Sequence, residues 1–123
     1  MKEIKTDKAP AAIGPYSQAI VTGNMVFTSG QIPVNPQTGE IPTDIESQVH
    51  QVFTNISGLL EDAGTSMSKV VKTTVFIKNM EHFAKINAIY ETYFTAPYPA
   101  RSCVEVARLP KDVLIEVEVV AEI

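Results

Sequence analysis

The chain has a single cysteine, Cys103, so no internal disulfide can staple it and a reducing compartment is its default setting. Basic residues are absent over a long stretch, with no Lys or Arg between Ala9 and Ser68. Ten Lys and Arg against 14 Asp and Glu leave a formal charge of −4. That is the wrong sign for the basic face that broad nucleic-acid binding uses to neutralise phosphates, although a small basic pocket stays compatible with it. No apolar run approaches the ~20 residues of a membrane span, and the opening MKEIKTDKAP lacks the apolar stretch of a secretory signal. The two histidines, His50 and His82, lie far apart and Cys103 has no CxxC partner, which leaves no metal-ligand spacing. There is no GxxxxGK or GxGxxG to cradle phosphates, and Ser29-Gly30 lacks the GxSxG elbow of a serine hydrolase. These absences predict a cytoplasmic protein, residues 1–123 forming one domain, without a metal.

What is present reads as strands and helices in a definite order. Ile20–Val21 and Met25–Thr28 flank the turn Thr22-Gly23-Asn24, and Asn35 to Gly39 suits a proline-started turn. Ile45, Val49, Val52, Phe53, Ile56, Leu59, Leu60 and Ala63 then form one stripe of an α-helix, introduced by the capping box Thr43 to Glu46 and stopped by Gly64. Val70 to Ile77, rich in β-branched residues, predicts a strand. A second helix, about residues 81 to 94 after Asn79, carries Phe83, Ile86, Ile89, Tyr90, Tyr93 and Phe94 on its apolar side. Two strands follow, Ser102–Ala107 and Val113–Val120. With two helices over one sheet face, Val113, Ile115, Val117 and Val119 are expected in the core with Val104 and Val106. The other face is expected to carry Arg101, Cys103, Glu105, Leu114, Glu116, Glu118 and Val120. So mixed a face suggests burial against another subunit.

The segment PARSCVEVARLP is the most suggestive piece of chemistry. Residues two apart share a strand face, so Arg101, Cys103 and Glu105 project together. An arginine there suits a two-pronged grip on a carboxylate, but taken alone it is more often a surface residue or salt-bridge partner. Glu116, flanked by apolar neighbours, is either a solvated outer-face residue or a carboxylate with raised pKa able to handle water. Cys103 is either a small buried hydrophobe or a nucleophile. Tyr16, after Gly14-Pro15, is by pattern a turn aromatic. Pattern alone stops at a small-molecule site with an arginine and a carboxylate.

Taken together, APAAIGPYSQ (9–18), FTSGQIP (27–33), VKTTVF (71–76), Ile86-Asn87 and PARSCVEVARLPKD continued to Glu118 resemble the RidA (YjgF) family of enamine/imine deaminases over essentially all 123 residues. The resemblance implies an α+β, chorismate-mutase-like fold: a mixed sheet with two helices on one face, assembled as a homotrimer around a central β-barrel with sites in the clefts between subunits. Local reading would pair the last two strands as a hairpin, whereas the resemblance places the Val70–Ile77 strand between them. It further implies hydrolysis of reactive 2-imino acids or enamines, supplied by pyridoxal-phosphate dehydratases, to 2-keto acids and ammonia, with no cofactor. By position, Arg101 would bind the substrate carboxylate and Glu116 would activate water. Gly30 and Cys103 would contribute backbone groups, and Ser29, Asn87 and Tyr16 would line the pocket, Tyr16 from the neighbouring side. A non-catalytic acid-binding regulator and an endoribonuclease are the alternatives. Thr95 to Tyr98 departs from the pattern, being shorter than the matching loop of many relatives and lying just before Arg101.

Overall fold

The computed structural model describes residues 1–123. In chain order the elements are β1 (Lys2–Ile4), β2 (Ala19–Thr22), β3 (Met25–Thr28), α1 (Ile45–Asp62), β4 (Val70–Ile77), α2 (Phe83–Tyr93), β5 (Ala100–Glu105) and β6 (Ile115–Glu122). The strands form one mixed sheet in the order β1-β2-β3-β6-β4-β5. Two helices pack on one side, which is the expected α+β class. β1 carries no sequence signal strong enough to predict it; its three residues are held by antiparallel pairing to β2.

Each helix follows from its apolar stripe. The whole predicted stripe of α1, Ile45 to Ala63, is buried. Its cap is Asp44 rather than Thr43: the Asp44 carboxylate accepts from Ser47 N at 2.9 Å and is held below the usual carboxylate range by that bond. Asn79 accepts from Glu81 N at 2.9 Å and opens a 3₁₀ turn, Met80–His82, that runs into α2. Phe53 of α1 stacks on Tyr93 and meets Tyr90 and Phe94 edge-on, which locks the two helices together.

β4 lies between β5 and β6, parallel to the first and antiparallel to the second. The hairpin of local reading does not form. The β4–α2–β5 unit is a crossover, for which parallel strands need a helix-length connection. This pairing also decides which way β5 faces. Thr73, Val75 and Ile77 are opposite Val119, Val117 and Ile115 on one side and Arg101, Cys103 and Glu105 on the other. Arg101, Cys103 and Glu105 therefore share the helix-covered face with the core valines of β6. The expectation that they face the same way as Glu116 and Glu118 is wrong. Val104, expected in the core, lies on the uncovered face and is 45% exposed. Alternation along β5 is as read; its phase relative to β6 was not legible from two strands that never touch.

Two buried amides on α1 hold the segments next to the candidate residues Gly30 and Glu116. Asn55 donates to the carbonyls of Ile32 (3.3 Å) and Val34 (2.9 Å). Gln48 donates to Pro42 O and accepts from Leu114 N, both at 2.8 Å. The first fixes the segment after β3, the second the entry to β6. Lys111 and Asp112, at φ 54° and 55°, turn the chain toward β6, with Asp112 gripped by Arg108 Nε at 2.8 Å.

Candidate active site

Arg101 sits at the start of β5, under α2. Its guanidinium carbon is 4.7 Å from the centre of the Tyr90 ring and 5.3 Å from that of Phe83, and Nη1 donates to Asn87 Oδ1 at 2.7 Å. No carboxylate pairs with it: the chain's five ion pairs involve Lys5, Lys8 (twice), Lys85 and Arg108. Of two arginines, Arg108 has an acidic partner and Arg101 is held by neutral groups only. A guanidinium fixed on one edge by an amide, and over rings, still presents N–H donors for a planar anion. The adjoining open cavity, about 440 Å³, is lined by Asn87, Tyr90, Glu91, Tyr98, Pro99 and Arg101. Tyr98 of the short Thr95–Tyr98 turn thus forms one wall.

β5 is the sheet's edge, and its ladder register exposes specific backbone groups. Val106 N donates to Ile77 O at 2.9 Å. The two-residue repeat turns the N–H and C=O groups of Ser102 and Val104 toward β4, and those of Arg101, Cys103 and Glu105 outward. Cys103 therefore offers free backbone groups beside the guanidinium, while its side chain packs against the core. Burial pushes its thiol pKa up, against a smaller opposing effect of Arg101. A raised pKa suppresses the nucleophilic thiolate. Cys103→Ser is accordingly expected to keep the imine hydrolysis that the family resemblance implies within about threefold of the parent, measured as kcat/KM; loss of more than a hundredfold in a folded variant would point to thiol chemistry. Glu105 also finds a role: its carboxylate accepts from Met80 N at 2.8 Å and ties β5 to the turn that starts α2.

Glu116 belongs to a separate cluster on the uncovered face. It lies opposite Phe76 of β4. Burial, then the charge of Glu118, raise its pKa above the ordinary carboxylate value. On its other side runs the segment after β3, locked to β6 by the pair Gln31 N to Val117 O (2.8 Å) and Val117 N to Gln31 O (3.0 Å). That lock presses Gly30 onto Glu116: a Cβ at position 30 would fall 2.9 Å from the carboxyl carbon. Only glycine leaves the carboxylate in place. Ser29 Oγ donates to Ser17 O at 2.6 Å, and Ser29 N donates to Gln18 O at 2.9 Å. Tyr16 is exposed and lines a cavity of about 330 Å³ together with Gly30, Gln31 and Lys111.

The predicted site residues thus fall into two groups. Arg101, Asn87 and Cys103 lie at the helix side of the β5 edge; Glu116, Gly30, Ser29 and Tyr16 lie across the sheet. Sequence reading missed Phe83 and Tyr90 as guanidinium neighbours, since their helical spacing read only as core, and Gln48 and Asn55, whose burial no motif announces. A further cavity of about 410 Å³, beside Lys8, Gln51, Glu61 and Tyr93, contains none of the predicted residues. No group of three or more His, Cys, Asp or Glu is placed to hold a metal ion, and no helix is long and apolar enough to cross a membrane.

A mixed sheet with two helices on one face, and an unpaired arginine seated at its parallel edge strand, define a small α+β class. The chain belongs to the Endoribonuclease L-PSP family, which takes in the RidA (YjgF) proteins; the family's sequence model matches residues 6–123. It is 57% identical over 123 residues to the 2-iminobutanoate/2-iminopropanoate deaminase of Escherichia coli K12, covering 98% of this chain and 96% of that one. The crystal structure of the Escherichia coli YjgF gene product superposes with a TM-score of 0.95 at 53% identity, covering 99% of this chain and 98% of that one. Escherichia coli TdcF with bound serine matches with a TM-score of 0.95 at 49% identity, over 100% of this chain and 99% of that one.

Proposed function

We propose that the protein hydrolyses reactive 2-imino acids and their enamine tautomers, such as 2-iminobutanoate and 2-aminoacrylate, to 2-keto acids and ammonia. The observation that carries this reading is Arg101: a guanidinium held by Asn87 and two rings, with no acidic partner, beside a cavity of small-acid size. The 57% identity to a deaminase of that specificity and the serine found in a relative support the same substrate class.

The chemistry needs few parts. Arg101 binds the substrate carboxylate through two parallel N–H···O bonds, and the outward backbone groups of Cys103 orient the rest. Glu116, as carboxylate, takes a proton from water as the water oxygen bonds to C2 of the iminium. The resulting carbinolamine receives a proton on nitrogen from the Glu116 acid. The C–N bond then breaks as the hydroxyl gives its proton to the regenerated Glu116 carboxylate and becomes the keto C=O; ammonia leaves and takes up that proton as ammonium, returning Glu116 to its starting form. Because the iminium carbon is already electrophilic, no covalent nucleophile enters.

Arg101 and Glu116 cannot serve one substrate within one chain, being on opposite faces of the sheet. Two chains must meet, with Arg101, Asn87 and Cys103 from one and Glu116, Gly30, Ser29 and Tyr16 from the next. A homotrimer that buries the uncovered sheet face meets this need. Phe27 and Val104, 46% and 45% exposed, are apolar residues that such an assembly would cover. Residues 1–123 act in it as one domain, since a single cluster of 22 buried residues runs from Ile4 to Ala121. A cytoplasmic setting supplies both reducing conditions and the dehydratases that release these intermediates.

The endoribonuclease reading has less support. The formal charge is −4, and His50 and His82 are not paired, His50 bonding instead to Tyr93 at 2.7 Å. A coupled assay tests the proposal: a threonine or serine dehydratase generates the imine, and keto-acid release is followed with and without the protein. Acceleration over spontaneous hydrolysis is expected. No acceleration, with 2-oxobutanoate still bound, would point to a non-catalytic acid-binding regulator.

A further inference from the structure

We infer that Tyr90 and Phe83 are positioning residues: their rings form a seat that fixes the Arg101 guanidinium in its carboxylate-binding orientation. The inference rests on the deaminase reading for its substrate and on geometry for everything else.

An arginine on an edge strand normally samples many rotamers, and ordering it at the moment of binding weakens the complex. Here three contacts order it in advance. The guanidinium carbon lies 4.7 Å from the Tyr90 ring centre and 5.3 Å from that of Phe83, both within cation–π range. Asn87, one turn before Tyr90 on the same helix face, accepts from Nη1 at 2.7 Å. The seat is itself rigid. Tyr90 is only 5% exposed, its ring packs against Phe53 and Phe94, and its hydroxyl bonds Thr73 Oγ1 at 2.8 Å. Thr73 is fully buried on β4 and is the register partner of Arg101 itself. A short path therefore runs from the strand beside Arg101, through the Thr73–Tyr90 bond, back to the face of the guanidinium. Neutral groups do this holding, so the full charge is left for the anion; an acidic partner would have competed with the substrate.

The test uses the chain's having just two arginines, Arg101 and Arg108. In the ¹⁵N-labelled protein the Arg Nε–H region should show two signals, the one missing in Arg101→Ala being that of Arg101. In the parent this signal should be displaced upfield of the free-arginine position by the rings. Tyr90→Leu should return it toward that position, weaken 2-oxobutanoate about tenfold and raise KM similarly, with kcat within about twofold. Tyr90→Phe, which keeps the ring, should stay within about twofold of the parent in all three. Phe83 is less buried, and Phe83→Leu gives the same readouts if Tyr90→Leu does not fold. An undisplaced Arg101 signal in the parent, or Leu variants that leave signal and affinity unchanged, would overturn the seat. So would Tyr90→Phe failing as badly as Tyr90→Leu. A displaced signal in a parent that binds no 2-oxobutanoate would uphold the seat and remove the deaminase reading instead.

Discussion

Replacing Arg101 with alanine is expected to lower kcat/KM for 2-iminobutanoate hydrolysis by roughly 10²- to 10⁴-fold while leaving a folded oligomer. The magnitude follows from two hydrogen bonds to a charged group, about 1.5–3 kcal/mol each, converted at about 1.4 kcal/mol per tenfold. The fold should survive because Arg101 is exposed, sits on an edge strand and makes no ion pair. Arg101→Lys keeps the charge but loses the planar fork and the ring contacts, and should recover only a small part of the loss. Steady-state assays on dehydratase-generated imine, with circular dichroism and sizing as controls, check this. Full activity in Arg101→Ala would remove the carboxylate anchor.

Glu116→Gln is the second large effect, about 10²- to 10⁴-fold in kcat, with 2-oxobutanoate affinity retained. Glutamine fills the same space beside Gly30 and Phe76 but accepts no proton. The pH dependence has a definite sign. Burial and Glu118 raise the Glu116 pKa, so the active carboxylate form is lost as pH falls through a value above the ordinary one for glutamate. An acid limb in kcat should lie there in the parent and vanish in Glu116→Gln. The same shift means that ionised Glu116 destabilises the folded chain above its pKa, and that this cost is relieved as pH falls. The variant should therefore melt no earlier than the parent at neutral pH. Unchanged turnover would take Glu116 out of the mechanism.

The helices and most strands were legible because their signals are local. The α1 stripe from Ile45 to Ala63, the β-branched run of β4 and the odd-position valines of β6 each carry their own period. The relation between strands was not. Pro110 to Asp112 makes a short connection that invites a β5–β6 hairpin, and only the family resemblance placed β4 between them. The side β5 turns to the helices depends on that pairing, so the facing of Arg101 is not legible from the period of β5 alone. Asn87 and Gly30 were named by resemblance, while their physical work became visible only in three dimensions: an amide on the guanidinium, and a missing Cβ against a carboxylate. Tyr90 was read as core, and it is core; its ring edge-on to Phe53 also offers a face to Arg101.

The division of the site between chains is the central claim, and mixed oligomers test it most directly. Arg101→Ala and Glu116→Gln proteins, each nearly inactive, are co-expressed with different tags, and doubly tagged oligomers are purified and assayed. If each site takes Arg101 from one chain and Glu116 from the next, every trimer that holds both chains has one complete site in three, and activity should rise to about a third of the parent's. Activity no greater than that of the two inactive variants, in oligomers shown to contain both chains, would contradict the account.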